Sequence, residues 1–167
     1  MHELNAPELL EVLQRHGVEF IVIGGYAGVI LGSPIPTQDV DVVPRRDTDN
    51  LTKLSAALTE LDAKVRNDGE EPHPFRHDAA SLAGSLFWNL TTKHGDLDVT
   101  FTPSGTAGYP DLRRDAVTLQ LNGAPLWSAS LADIIRSKEA AGRDKDRRAL
   151  PILRELLAEQ LRDKRNR

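Results

Sequence analysis

The sequence predicts an α/β (α+β) fold: a small mixed sheet flanked by helices, with a C-terminal helical segment packed against it. Three observations predict this. Short β-branched runs alternate with leucines at helical spacing from Leu9 to Asp62. Two pairs of apolar segments turn at glycine, one at Gly95 and one at Asn122-Gly123. Everything after Ser130 reads as helix, which leaves residues 1–129 as the core and 130–167 as a helical addition.

Leu9, Leu10 and Leu13 define the first helix, opened by Pro7 and stopped at Gly17. Phe20-Ile21-Val22-Ile23 is a short apolar run with three β-branched members, a buried strand that ends at Gly24-Gly25. A short helix over Tyr26 to Leu31 is broken by Gly32, Pro34 and Pro36. Asp39 to Val43 alternates carboxylate with valine at the period of a strand, and Pro44 stops it. Leu51, Leu54, Leu58 and Leu61 share one face of a helix over 48–62.

Residues 67–77 hold glycine, proline and charge, the signature of a mobile loop. Phe87 to Thr92 and Leu97 to Phe101 form a hairpin through Gly95; Val117 to Leu121 and Ala124 to Trp127 form another. Ser130 with Asp133 three residues on is a capping-box-like start for a helix from Leu131 to Ala141. Gly142 ends it, and a last helix runs from Asp144 to about Arg162.

Composition narrows the classes. The 167 residues suit one domain, and a chain of this size buries roughly 70% of its unfolded surface, so the 40% of apolar residues can form a core. There is no cysteine, so neither a disulfide framework nor a thiolate metal site exists. The N-terminal segment is acidic and amphipathic, unlike a signal peptide, and no apolar stretch approaches the roughly 20 residues that span a bilayer. A soluble, cytoplasmic protein is expected. The net charge of −4 divides unevenly: residues 1–135 carry −9, whereas 136–167 carry +5. Such a basic tail attracts phosphates, or else forms the solvated face of an amphipathic helix.

Asp39 and Asp41 lie two apart on a strand, so both side chains point to one face. Two carboxylates on a valine-rich strand repel unless a cation sits between them, and hard divalent ions favour this all-oxygen arrangement. Asp96 and Asp98 repeat the pattern; Asp98 is deeper in its strand, and completes a triad if the two strands are neighbours. Upstream, a strand runs into Gly24-Gly25 and a helix, where backbone amides can approach a phosphate. A phosphate cradle beside a carboxylate triad suits phosphoryl-type transfer with two metal ions.

Weaker readings fall away on spacing. The segment from Asp39 has no glycine at the sixth position of a calcium loop and Asn50 at the twelfth. Gly24-Gly25-Tyr26 departs from the dinucleotide fingerprint. His73 and His77 are four apart, but Pro72 and Pro74 argue against the helix that a zinc pair would need, and His94 reads as a turn residue.

Ile23-Gly24-Gly25, a spacer, and Asp39-Val40-Asp41-Val42 together resemble the signature of the DNA polymerase β-like nucleotidyltransferase superfamily. The tail, Leu131 to Lys138 and then Arg143-Asp144-Lys145-Asp146, is similar to blocks of the AbiEii/MenT-like toxin enzymes. The resemblance implies a small mixed sheet of the nucleotidyltransferase type, two magnesium ions with manganese as an alternative, and a nucleoside triphosphate such as ATP. It implies that Asp39, Asp41 and Asp98 hold the metals, with Asp98 helping to deprotonate the attacking hydroxyl. Gly24, Gly25, Thr37 and Lys138 would contact the nucleotide; Arg143, Lys145 and Asp146 would position the triphosphate or tie the helices to the site. In the toxin-type branch the acceptor is often the 3′ end of tRNA and an antitoxin protein restrains the enzyme. An RNA acceptor, a small-molecule acceptor of aminoglycoside type, and a non-catalytic nucleotide-binding module therefore stand as alternatives. The sequence departs from the family at Gly25, where serine is common, and at Ala149, where another aspartate often follows.

Overall fold

A computed structural model describes residues 2–167. Its elements run α1 (Ala6–Arg15), β1 (Phe20–Ile23), α2 (Gly24–Ile30), β2 (Asp39–Pro44), α3 (Thr48–Glu60), β3 (Lys64–Val65), α4 (Ala79–Ala83), β4 (Phe87–Thr92), β5 (Gly95–Thr100), α5 (Tyr109–Arg114), β6 (Val117–Leu121), β7 (Ala124–Ser128), α6 (Leu131–Ala141) and α7 (Asp144–Arg165). The strands form one sheet in the order β3-β4-β5-β2-β1-β7-β6. It is mixed, as expected: β2 lies parallel to β5 and β1 to β7, and the remaining neighbours are antiparallel.

Helices cover the sheet because their apolar stripes need a partner surface. Leu9, Leu10 and Leu13 of α1 and Leu51, Leu54 and Leu58 of α3 are all buried, and pack with Ile21, Val40, Val42 and Leu97 from the central strands. Leu131, Ile134 and Ile135 of α6 and Leu150 and Leu153 of α7 belong to the same core. The caps hold where the sequence placed them: Ser130 accepts from the Asp133 amide at 3.1 Å, and Gly142 closes α6 in the left-handed conformation, φ 63°.

Three elements depart from the sequence reading. β3, α4 and α5 were not expected, and each is too short to display a period. α4 is started by Asp78, whose carboxylate accepts from the Ser81 amide at 2.9 Å. α5 begins with Tyr109-Pro110 after Gly108, which holds φ 87°. The 67–77 segment is pinned rather than loose at one point. His73, between two prolines, keeps its own N–H and C=O, and exchanges both with Val65 at 3.2 and 2.9 Å. Among the described residues no helix is long and apolar enough to cross a membrane.

Candidate active site

The parallel pairing of β2 with β5 creates the site. Asp39 stands opposite Asp96 and Asp41 opposite Asp98, so all four carboxylates rise from one face of the sheet. One oxygen from each of Asp39, Asp41 and Asp98 lies within 4.8 Å of the others. Among the described residues this is the one group of His, Cys, Asp or Glu side chains placed to share a metal.

The electrostatics reflect crowding. Burial, and then the charges of Asp39 and Asp98, push Asp41 from 3.8 up to about 7, although Lys145 and Lys138 draw it down. Burial also raises Asp98 to about 6 against the pull of Arg66, with Asp39 and Asp96 adding repulsion. Half-buried carboxylates facing one another are stabilised by a cation placed among them. Three hard oxygen donors without nitrogen or sulfur suit magnesium or manganese, so the residues present fit the ions that the sequence implied.

Across the cavity, β1 runs directly into α2 at Gly24. Gly24 has φ 68°, and a Cβ there would meet Asp41 Oδ2 at 2.3 Å. The glycine is therefore required twice, by its backbone and by its close contact with the Asp41 carboxylate. A Cβ on Gly25 would lie 3.0 Å from Thr37 Oγ1. Thr37, whose hydroxyl donates to the Asp39 carbonyl at 3.1 Å, thus fills the space into which a residue-25 side chain would project. The hydroxyl that this chain lacks at Gly25 reappears from the neighbouring loop.

The cations come from the far end of the chain. Lys138 of α6, Arg143 between the helices, and Lys145 of α7 line the same cavity of about 690 Å³ as Gly24, Gly25, Thr37, Asp39, Asp41 and Asp98. Asp146 stands apart from the others. It is 0% exposed. Its carboxylate accepts from Arg143 Nε at 2.7 Å and from the Arg143 amide at 3.2 Å, and lies 3.4 Å from Lys138 Nζ. Burial works to raise its pKa, yet the bonds from Arg143 and the charge of Lys138 hold it below the ordinary value. Of the two roles implied for Asp146, the geometry gives it the tie between helices, not a place on the cavity wall.

Arg66, just past β3, was missed by the sequence reading. Its two guanidinium nitrogens fork to Asp96 Oδ2 at 2.6 Å and Asp98 Oδ1 at 2.8 Å. Asp96 is thus tied to Arg66 and lies outside the group of three, while Asp98 shares one oxygen with the guanidinium. No local pattern announced it. The one signal was an arginine within a segment whose pairing with β4 was not foreseen.

His77, His94, Trp88 and Trp127 make contacts within the fold. His77 Nδ1 shares a hydrogen bond with Ser55 Oγ at 2.9 Å, the His94 carbonyl accepts from the Asn5 amide, and Trp88 Nε1 donates to the Leu82 carbonyl. Trp127 lies under the Arg113 guanidinium, 3.7 Å from ring centre.

Known structures agree with this architecture. The lincosamide antibiotic adenylyltransferase LnuA, solved with lincomycin bound, aligns with 93% of this chain and 99% of its own at TM-score 0.61 and 14% identity. The fold is that of nucleotidyltransferases. The antibiotic-resistance factor ANT(2″)-Ia, also solved with adenylyl-2″-tobramycin, aligns over 92% of this chain and 88% of its own, with TM-score 0.54 and 13% identity. TM1012 of Thermotoga maritima, described as a nucleotidyltransferase, aligns over 95% and 97% at TM-score 0.51 and 21% identity. No protein-family model and no curated protein matches the sequence. The nucleotidyltransferase fold expected from the sequence is thereby found, and the toxin-type branch is not among these neighbours.

Proposed function

We propose that the protein transfers a nucleotidyl group from a nucleoside triphosphate to an acceptor hydroxyl. The observation that carries this reading is the single cavity in which three carboxylates face a glycine turn and three cations. Asp39, Asp41 and Asp98 would hold magnesium or manganese. When bound, such ions neutralise the carboxylates and stabilise charge on the attacking and leaving oxygens. Lys138, Arg143 and Lys145 bind the triphosphate by charge, and the Gly24-Gly25 backbone together with the Thr37 hydroxyl orients it. The acceptor oxygen bonds to the α-phosphorus while the bond to the bridging oxygen breaks. Pyrophosphate leaves with the electron pair, and Asp98 takes the hydroxyl proton. Positioning and charge account for the acceleration, with no covalent intermediate on the protein.

Within this class we infer an RNA hydroxyl as the acceptor, in the manner of toxin-type enzymes held by an antitoxin. The support is the +5 charge of residues 136–167, which include the cavity cations. A second reading is a small-molecule acceptor, favoured by the lincomycin and tobramycin complexes of proteins with this fold. The experiment incubates the protein with each labelled nucleotide, magnesium, and total RNA or an antibiotic panel, and follows labelled product and pyrophosphate. Asp41→Ala should lose all transfer while remaining folded. Transfer that survives this change overturns the mechanism, and nucleotide binding without pyrophosphate release would mark a non-catalytic module.

A further inference from the structure

The cavity reaches beyond the triad onto a part of the sheet that the chemistry above leaves idle. Phe87 and Asn89 of β4 line it, together with Thr100 of β5. Asn89 is the register partner of Asp98 and Phe87 that of Thr100, so these side chains share the carboxylate face. Phe87 lines the cavity yet is 59% exposed, so the face of its ring stands open for something to cover.

The sheet order fixes what that is. Across one face run β1, β2, β5 and β4. The glycine turn follows β1, the metal ligands stand on β2 and β5, and β4 lies beyond. In-line displacement puts the attacking oxygen opposite the leaving pyrophosphate. With the triphosphate tail at the glycine turn, the acceptor must enter over β4, beside Asp98. Phe87 is the diagonal neighbour of Asp98, about 7–8 Å away in such a pairing and somewhat less between Cβ atoms, a span that one sugar ring covers.

The wall also selects by charge. Asp98, the carboxylate of this wall, already gives one oxygen to the Arg66 guanidinium at 2.8 Å, which weakens its pull on a polycationic acceptor. The wall offers instead an exposed aromatic face and an uncommitted primary amide. We propose that Phe87 and Asn89 form the acceptor subsite, and that the acceptor carries an uncharged planar ring next to its reacting hydroxyl, as a nucleoside does. The ring stacks on Phe87, and Asn89 hydrogen-bonds its edge. This rests on the nucleotidyl-transfer reading but is tested apart from it.

The test titrates the full-length protein, with magnesium and a non-hydrolysable triphosphate, with the dinucleotide cytidylyl-adenosine lacking its terminal 3′-hydroxyl, and reads affinity by calorimetry. Phe87→Ala should weaken the dinucleotide at least tenfold, or about 1.4 kcal/mol, within the range of one base on one aromatic ring. Phe87→Tyr should restore it, Asn89→Ala should weaken it, and the triphosphate's affinity should not change. Unchanged dinucleotide affinity in Phe87→Ala overturns the subsite, as does a wild type that does not bind the dinucleotide. A loss confined to the triphosphate overturns it too, because the ring would then carry the nucleotide's own base. So does nucleotide transfer to tobramycin that is equally fast in wild type and Phe87→Ala. Phe87-dependent binding in a protein that transfers nucleotide to nothing sustains the subsite and removes the transfer reading instead.

Discussion

Replacing Asp41 by asparagine should make the metal-free protein more stable while abolishing its activity. Burial, and after it repulsion from Asp39 and Asp98, moves the Asp41 carboxyl from 3.8 to about 7, roughly three units at about 1.4 kcal/mol each, which sets a ceiling near 4 kcal/mol. Asp39 and Asp98 share that repulsion, so the expected gain at pH 8 is about 2–4 kcal/mol. The sign follows from linkage. A carboxyl with a raised folded pKa stabilises the fold while protonated. That contribution is whole below pH 3.8 and is lost as pH rises through about 7. Asparagine imitates the protonated form at every pH. Thermal unfolding with chelator present should therefore place Asp41→Asn roughly 5–15 °C above wild type at pH 8. The gap should shrink to about 1–2 kcal/mol at pH 5. Millimolar magnesium should raise the wild type and leave the variant unmoved. A variant equal to or below wild type at pH 8, or a gap that widens toward pH 5, would refute the claim that burial and the neighbouring carboxylates penalise the charge on Asp41.

Other changes probe the supports of the site. Gly24→Ala forces a Cβ against Asp41 Oδ2 at a positive φ; it should cost about 1–2 kcal/mol from backbone strain alone, and manganese titration should record weakened metal binding. Asp146→Ala leaves Lys138 and the largely exposed Arg143 without their buried partner; we expect a loss of about 1–3 kcal/mol in denaturant unfolding, with a raised KM for the triphosphate. Arg66→Met removes the cation that lowers Asp98, so the acidic limb of the pH–rate profile should move to higher pH; a profile that stays in place excludes this electrostatic role.

The sequence made the triad legible because each half is local. Asp39-Val40-Asp41 fixes a face by alternation, and Asp96-Leu97-Asp98 does the same. What it left open was whether β2 and β5 adjoin, a matter of pairing across some sixty residues that the register settles. Arg66 was hidden for the same reason: its partners lie thirty residues onward, and its segment carries loop residues, so no period marked it. Phe87 was legible as a strand residue, but which side of β4 lies open depends on β5 beside it. The helices α4 and α5 were lost to brevity. The cationic block at Arg143 to Asp146 was visible as charge, yet nothing local distinguished the buried Asp146 from the exposed Asp144.

The two faces of this cavity come from different parts of the chain. The carboxylates belong to strands that end at Thr100, whereas the opposing lysines and Arg143 arrive only with α6 and α7. The segment up to Ser130 carries the carboxylates and the glycine turn but none of those three cations, so the charge balance of the cavity depends on α6 and α7 docking onto the sheet.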